Sequence, residues 1–219
     1  MPTASIKRII LVTVFALSFA FVESSVVVYL RALYYPDGFS FPLHRLSENQ
    51  VLVELFREFS TIVMLVTVGM IAGKTRWEKF SYFLVAFGIW DIFYYVWLKA
   101  ILNWPVTLKD WDILFLIPVP WIGPVIAPIL VSFFLIVAGI MMIREEEKSS
   151  IFTASRTSWI LSGIGSVCIL YSFVRDTEAT LYFQIPQPYF YWLLFTGLLC
   201  YILALFDSIR KNKSTNRSE

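Results

Sequence analysis

Six apolar runs, over residues 9–33, 53–72, 80–102, 121–143, 158–174 and 188–206, organise the 219-residue chain. Each approaches the roughly 20 helical residues that cross about 30 Å of hydrocarbon at about 1.5 Å of rise per residue. Charged or turn-forming segments part them: Pro36-Asp37-Gly38, Gly73-Lys74-Thr75-Arg76, Lys109-Asp110-Trp111-Asp112, the stretch 144–148, and Arg175-Asp176-Thr177-Glu178. The pattern predicts an all-α fold: a polytopic transmembrane helix bundle of six spans forming one integral membrane domain. Residues 207–219, polar and basic, read as a flexible cytoplasmic tail, a solvated terminus rather than a lipid-binding element.

The link 103–121 departs from this pattern. It runs from Asn103-Trp104-Pro105 through the charged turn and the apolar 113–117 to Pro118-Val119-Pro120-Trp121, too short to cross as a helix. Its Trp residues suit the membrane interface, and 113–117 is expected to be an interfacial or re-entrant segment in the outer leaflet. Pro118, Pro120, Pro124 and Pro128 remove backbone donors where the fourth run begins. Irregular backbone survives at that depth only beneath protein or beside a watery cavity; a simple proline-started helix is the alternative.

Composition places the chain among integral membrane proteins, at 58% hydrophobic and 18% aromatic residues with a mean hydropathy of +0.70. Orientation follows from Lys and Arg, which are retained on the cytoplasmic side. With both termini cytoplasmic, the inner side holds Lys7, Arg8, Lys74, Arg76, Lys79, Arg144, Lys148, Arg156, Arg210, Lys211, Lys213 and Arg217, twelve of eighteen. Arg31, Arg45, Arg57, Lys99, Lys109 and Arg175 remain outside or within the bilayer. The net charge of +2 is thus mostly positive-inside bias, with no nucleic-acid partner implied. Lys7-Arg8 before an apolar stretch also resembles a signal peptide, with Ser18 and Ala20 framing a cleavage site, but the run continues through Leu30, and an uncleaved helix is expected. Cys168 and Cys200 sit mid-span as apolar packing residues. The Asn212 and Asn216 sequons fall on the cytoplasmic side, where glycosylation does not reach.

Charge inside the apolar runs supplies the candidate chemistry, because ionisable groups at membrane depth mark functional sites by default. Counted from the inner-face Arg8, Lys74 and Lys79, Glu23, Glu58 and Asp91 lie at about 22, 24 and 18 Å. Glu54 and Glu58, four apart, share a helix face and repel; Arg57, protonation of one carboxyl, or a bound cation would each relieve them, and Thr61 extends the stripe. Asp91, Tyr95 and Lys99 recur every fourth residue beside Tyr94, and Arg31 is placed to snorkel outward from Glu23. The candidate set for substrate or ion binding is therefore Glu23, Arg31, Glu54, Arg57, Glu58, Asp91, Tyr94, Tyr95 and Lys99, with Arg57 and Lys99 tuning the carboxylates.

These residues admit three readings. The first is a carboxylate-rich site in the outer half of the first three helices, handling protons, cations or a small polar solute in a transport-like role. The second is a membrane-embedded enzyme using paired carboxylates on a lipid or isoprenoid. The third is a scaffold or accessory subunit in which four acids and three bases pair into a lattice that fixes helix register. The lipid bilayer is a partner in all three; a membrane-protein partner or a homo-oligomer remains open.

Several chemistries are struck out. One histidine, His44, provides neither a bis-histidine haem nor a multi-histidine zinc site, leaving at most a weak carboxylate-bound divalent cation such as Mg²⁺, Ca²⁺ or Mn²⁺. His44 itself reads as a solvated loop residue, or as a cap on the outer mouth of the site. Gly163-Ile164-Gly165-Ser166 resembles an intramembrane serine nucleophile, yet no histidine follows in the next run to activate it, so Ser162 and Ser166 are expected to pack helices.

The stretch 23–31, residues 54–61, Trp90-Asp91-Ile92-Phe93-Tyr94-Tyr95 and 118–124 resemble those of prokaryotic multi-pass membrane proteins with no assigned activity. The resemblance covers mainly the first four runs. It implies a multi-pass protein of the cell membrane, the prokaryotic inner membrane, and nothing about mechanism.

Overall fold

The computed structural model describes residues 3–44, 46–148 and 153–215, with side chains as far as Asn212. Arg45 and the Asn216 sequon lie outside the described residues. The elements are α1 (Thr3–Tyr34), α2 (Glu48–Ala72), α3 (Arg76–Leu102), β1 (Trp111–Phe115), β2 (Trp121–Pro124), α4 (Ile126–Lys148), α5 (Arg156–Val174), α6 (Thr177–Leu181) and α7 (Tyr191–Thr215). Among the described residues five stretches are long and apolar enough to cross a membrane: α1, α3, α4, Arg156–Leu181 and Tyr191–Asn212. The chain is thus an almost wholly helical, multi-pass membrane-type bundle.

Its polarity is the reverse of a water-soluble protein's. Ile71, Leu33 and Val167 are 79%, 72% and 67% exposed, whereas Glu23, Arg31, Glu54, Glu58, Asp91 and Asp112 are buried. Apolar atoms facing outward suit lipid as solvent, and ionisable residues in such a bundle turn to its interior.

The helix α3 is the axis, packed by α1, α2 and α4. Ser81, Tyr82, Val85, Ala86, Gly88, Trp90, Asp91 and Leu98, spread around most of its circumference, are all buried. Small residues let α4 approach: a Cβ on Gly88 would stand 2.5 Å from the Ser132 carbonyl oxygen, and one on Gly139 2.7 Å from that of Ser81. The helices α5 and α7 pair in the same manner, a Cβ on Gly165 falling 2.9 Å from the Gly197 carbonyl oxygen. Ser166 shares a hydrogen bond with Tyr201 at 2.7 Å across that pair. Cys168 and Cys200 are free thiols.

One end of the bundle gathers the basic segments. Arg8 donates to the Ala72 carbonyl and Glu78, Thr75 donates to Glu146 at 2.6 Å, and Asn212 exchanges hydrogen bonds with the Thr153 backbone. The starts of α1 and α5, the α2–α3 turn and the ends of α4 and α7 therefore share this end.

Three of the boundaries that differ from the apolar windows have a local cause. The helix α2 begins at Glu48, five residues before its window, because Ser47 and Gln50 form a capping box that starts the helix in a polar stretch. The fourth run does not open as helix at residue 121, since Trp121–Pro124 pairs antiparallel with Trp111–Phe115; α4 starts at Ile126, and Pro128 falls in its first turn, where no backbone donor is needed. The sixth helix continues through the basic stretch to Thr215, anchored by buried Asn212, so the tail expected from residue 207 begins as helix.

Candidate functional site

The α3–α4 link is a β-hairpin set into the helices. Ile113 pairs with Ile122, Asp112 with Gly123, and a register irregularity between Ile113 and Phe115 re-aims the strand end. Trp121 stacks on Phe173, Phe115 packs against Phe87 and Trp90, and Ile122 and Val125 are fully buried. Within the apolar 113–117 piece, Ile113 and Phe115 pair with the second strand, residues 113–116 are half-buried, and Ile117 is exposed.

Asp112, carried inward by this hairpin, is 2% exposed and accepts from Arg31 Nη2 at 3.1 Å. Arg31 does not snorkel outward. It is 6% exposed, with its guanidinium 3.6 Å from the centre of the Trp104 ring and 4.2 Å from that of Phe39. A carboxylate and two aromatic faces offset its desolvation more fully than one interfacial contact would. Burial pushes the Asp112 carboxyl up to about 6, against the lowering pull of Arg31.

The buried stripe of α2 reads Glu54, Glu58, Thr61, Leu65 and Gly69, acidic in one half and apolar in the other. Arg57 clamps Glu54, with Nε at 2.8 Å and Nη2 at 2.7 Å, and its Nη1 pairs with Glu23 on α1. Thr61 donates to Glu23 Oε2 at 3.0 Å. Glu58 takes a different partner, the backbone N–H of Leu116 at the hairpin tip, at 2.8 Å. On α3, Asp91 accepts from Ser132 of α4 at 2.8 Å. Among the described residues neither Glu58 nor Asp91 joins an ion pair.

Leu65, Gly69 and Ser132 apart, these residues line one cavity of about 350 Å³. Its wall contains Glu23, Arg31, Glu54, Arg57, Glu58, Asp91, Tyr94, Tyr95 and Asp112, and Tyr34, Tyr35, Phe39 and His44 complete it on the α1–α2 loop side. His44 donates its backbone N–H to the Tyr35 hydroxyl at 2.9 Å. The segment after α6 adds Phe183.

Lys99 stands apart from this group. Its Nζ donates to the carbonyls of Asn103 at 3.3 Å and Pro105 at 2.9 Å, beside a separate apolar crevice with Ile92, Val96 and Val106. Two steps of four residues rotate a helix by roughly 80°, which carries Lys99 off the Asp91 face. The unsatisfied carbonyls where α3 ends then attract the ammonium.

Asp112, Ser132 and the Leu116 N–H were not among the expected site groups. A hairpin was nevertheless signalled by Trp111-Asp112-Ile113-Leu114-Phe115, rich in strand formers, followed by the Pro118-Val119-Pro120 turn and Trp121-Ile122. Nothing in the sequence singles out Ser132.

Several buried polar atoms of the wall find no partner among the described residues: Trp90 Nε1, Arg31 Nη1 and Asp112 Oδ2. The Tyr95 hydroxyl faces Asp112 without meeting Oδ2 in hydrogen-bond geometry. No three His, Cys, Asp or Glu side chains among the described residues come together as a metal-holding group.

Fold and site define a multi-pass helical membrane protein with an acidic interior cavity. No known protein family, curated protein or solved structure matches the chain.

Proposed function

We propose that the chain is a six-span protein of a prokaryotic inner membrane with both termini cytoplasmic, and that its outer-half cavity handles protons, cations or a small polar solute in a transport-like role. The sixth span is α2, whose 25 residues suffice to cross and whose charges Glu54, Arg57 and Glu58 turn inward, away from lipid. The orientation is supported by the gathering of Lys and Arg at the end opposite the cavity. On this reading the hairpin enters the outer leaflet under cover of the helices.

One observation carries the functional reading: the carboxylates of the cavity outnumber its cations. Glu23, Glu54, Glu58, Asp91 and Asp112 face Arg31 and Arg57, five acids against two guanidiniums among the described residues. Charge in a bilayer is costly unless compensated, so a stable wall needs protons or a bound cation to make up the difference. A scaffold lattice would pair its charges fully, which Glu58 and Asp91 do not do. Proton or cation flux in proteoliposomes tests the proposal: Asp91→Asn removes the charge with little change of shape and abolishes the flux, and flux equal to the unsubstituted protein's overturns it.

A further inference from the structure

We infer that the cavity takes a small organic cation, an ammonium group on an aromatic or alkyl body, rather than a bare metal ion. The inference rests on the cation-handling reading above and names its substrate class. Four observations support it.

The excess of carboxylates demands positive charge, and Glu58 and Asp91 are the acids of the wall that join no ion pair among the described residues, Arg57 acting on Glu58 only from further away. Trp90 Nε1, in a wall residue 5% exposed, is left without a hydrogen-bond partner among the described residues. At about 350 Å³ the space matches a small-molecule site and far exceeds the volume of a dehydrated ion. The remaining wall is apolar, part aliphatic and part aromatic, with Tyr94 and Tyr95 edge to face at 4.9 Å and Phe39 also lining it. Carboxylates set among aromatic faces select a cation with an apolar body: the acids take the charge, and the rings take both the charge and the carbon surface. Arg31, set in the corner of the perpendicular Phe39 and Trp104 rings, shows one ring of the wall, Phe39, already against a cation.

The test uses the full chain in lipid nanodiscs, with empty nanodiscs as the partition control, and three isosteric probes: 2-phenylethylamine, protonated at neutral pH, neutral 2-phenylethanol, and anionic phenylacetate. Calorimetric titration is expected to show saturable binding of the amine at least about tenfold tighter than of either analogue, because only the amine brings the missing charge. Glu58→Gln and Asp91→Asn are each expected to weaken amine binding by about tenfold while leaving the weak binding of the alcohol unchanged. Equal binding of amine and alcohol by the unsubstituted protein, which needs no variant to fold, overturns the inference. So does undiminished amine binding by the double variant.

Infrared spectra of the carboxyl groups, recorded with Na⁺, K⁺ or a change of pH as the only probe, separate the two levels. If Asp91-dependent carboxyl changes appear with these probes but the amine does not bind, the organic-cation inference falls and the broader cation-handling reading stands. If neither responds, both fall.

Discussion

The two halves of the bundle solve the same packing problem with different chemistry. Between α5 and α7, contact is made by Gly165 against Gly197 and by hydroxyls that bond each other or nearby carbonyls, as Ser166 does with Tyr201 and Ser162. Asp207 lies towards the basic end of the pair and accepts from Ser155 and Ser158. Around α3, where α1, α2 and the hairpin meet, the interior holds five carboxylates and two guanidiniums. Helices in lipid associate well through small residues and neutral hydrogen bonds. The α5–α7 pair therefore shows that this fold does not need buried charge to pack, and the charges of the cavity call for another explanation.

Removing one partner of the buried Arg31–Asp112 pair should produce the largest effect. Arg31→Ala strands Asp112 in the interior and takes a cation from between Trp104 and Phe39, and unfolding free energy is expected to fall by about 3–5 kcal/mol. Adding Asp112→Asn to Arg31→Ala should recover part of that loss, since it removes the orphaned charge. A single variant as stable as the unsubstituted protein in chemical denaturation would show that the pair does not secure the hairpin.

Overpacking the neutral half comes next. Gly165→Val forces branched carbon against the Gly197 carbonyl and should destabilise by about 1–3 kcal/mol. Amine and cation responses of the surviving folded protein should be unchanged, because this pair contributes no charge to the cavity. A loss of cation response at full stability would break the division between the halves.

The charged half predicts the converse at Glu58. In Glu58→Gln the amide oxygen can still accept from the Leu116 N–H, so stability should move by no more than about 1 kcal/mol. Flux should nevertheless be lost. A variant that keeps flux would return Glu58 to a purely structural role.

What could be read from the chain alone follows the reach of local periodicity. The acidic stripe of α2 was legible because Glu54, Glu58 and Thr61 lie on a single helix, where spacing alone decides which residues share a face. The outward snorkelling expected of Arg31 and the place of Lys99 beside the carboxylates were not legible, because Arg31 meets Asp112 across 81 residues where separate elements dock, and Lys99 turns to carbonyls at and beyond its own helix end. The strand formers and proline turn that signalled the hairpin were outweighed by the hydropathy of 113–117, which is that of a membrane-dipping piece and too short to show a period. Capping explains the early start of α2, which a hydropathy window cannot register.

The smallest effect belongs to the rim of the hairpin, where charge is stabilised by hydrogen bonds rather than by an ion pair. Asp110 accepts from the N–H of Val106 at 2.7 Å, and from the N–H and hydroxyl of Thr107 at 3.2 and 2.7 Å. Partial burial pushes its carboxyl up, but the Thr107 and Val106 hydrogen bonds outweigh it and hold the group below the usual aspartate range. A carboxyl whose folded-state value is depressed lends stability above its unfolded value of about 3.9, and that contribution is lost as pH falls through the folded value. Asp110→Asn should therefore lower stability by about 1 kcal/mol or less at neutral pH. The gap between variant and unsubstituted protein should close as thermal unfolding is followed down through about pH 4 and below. A gap that stays constant with pH would mean that Asp110 acts through its shape alone. It would also remove the hairpin rim as a place outside the cavity where charge contributes, which would sharpen the contrast between the wall and this rim.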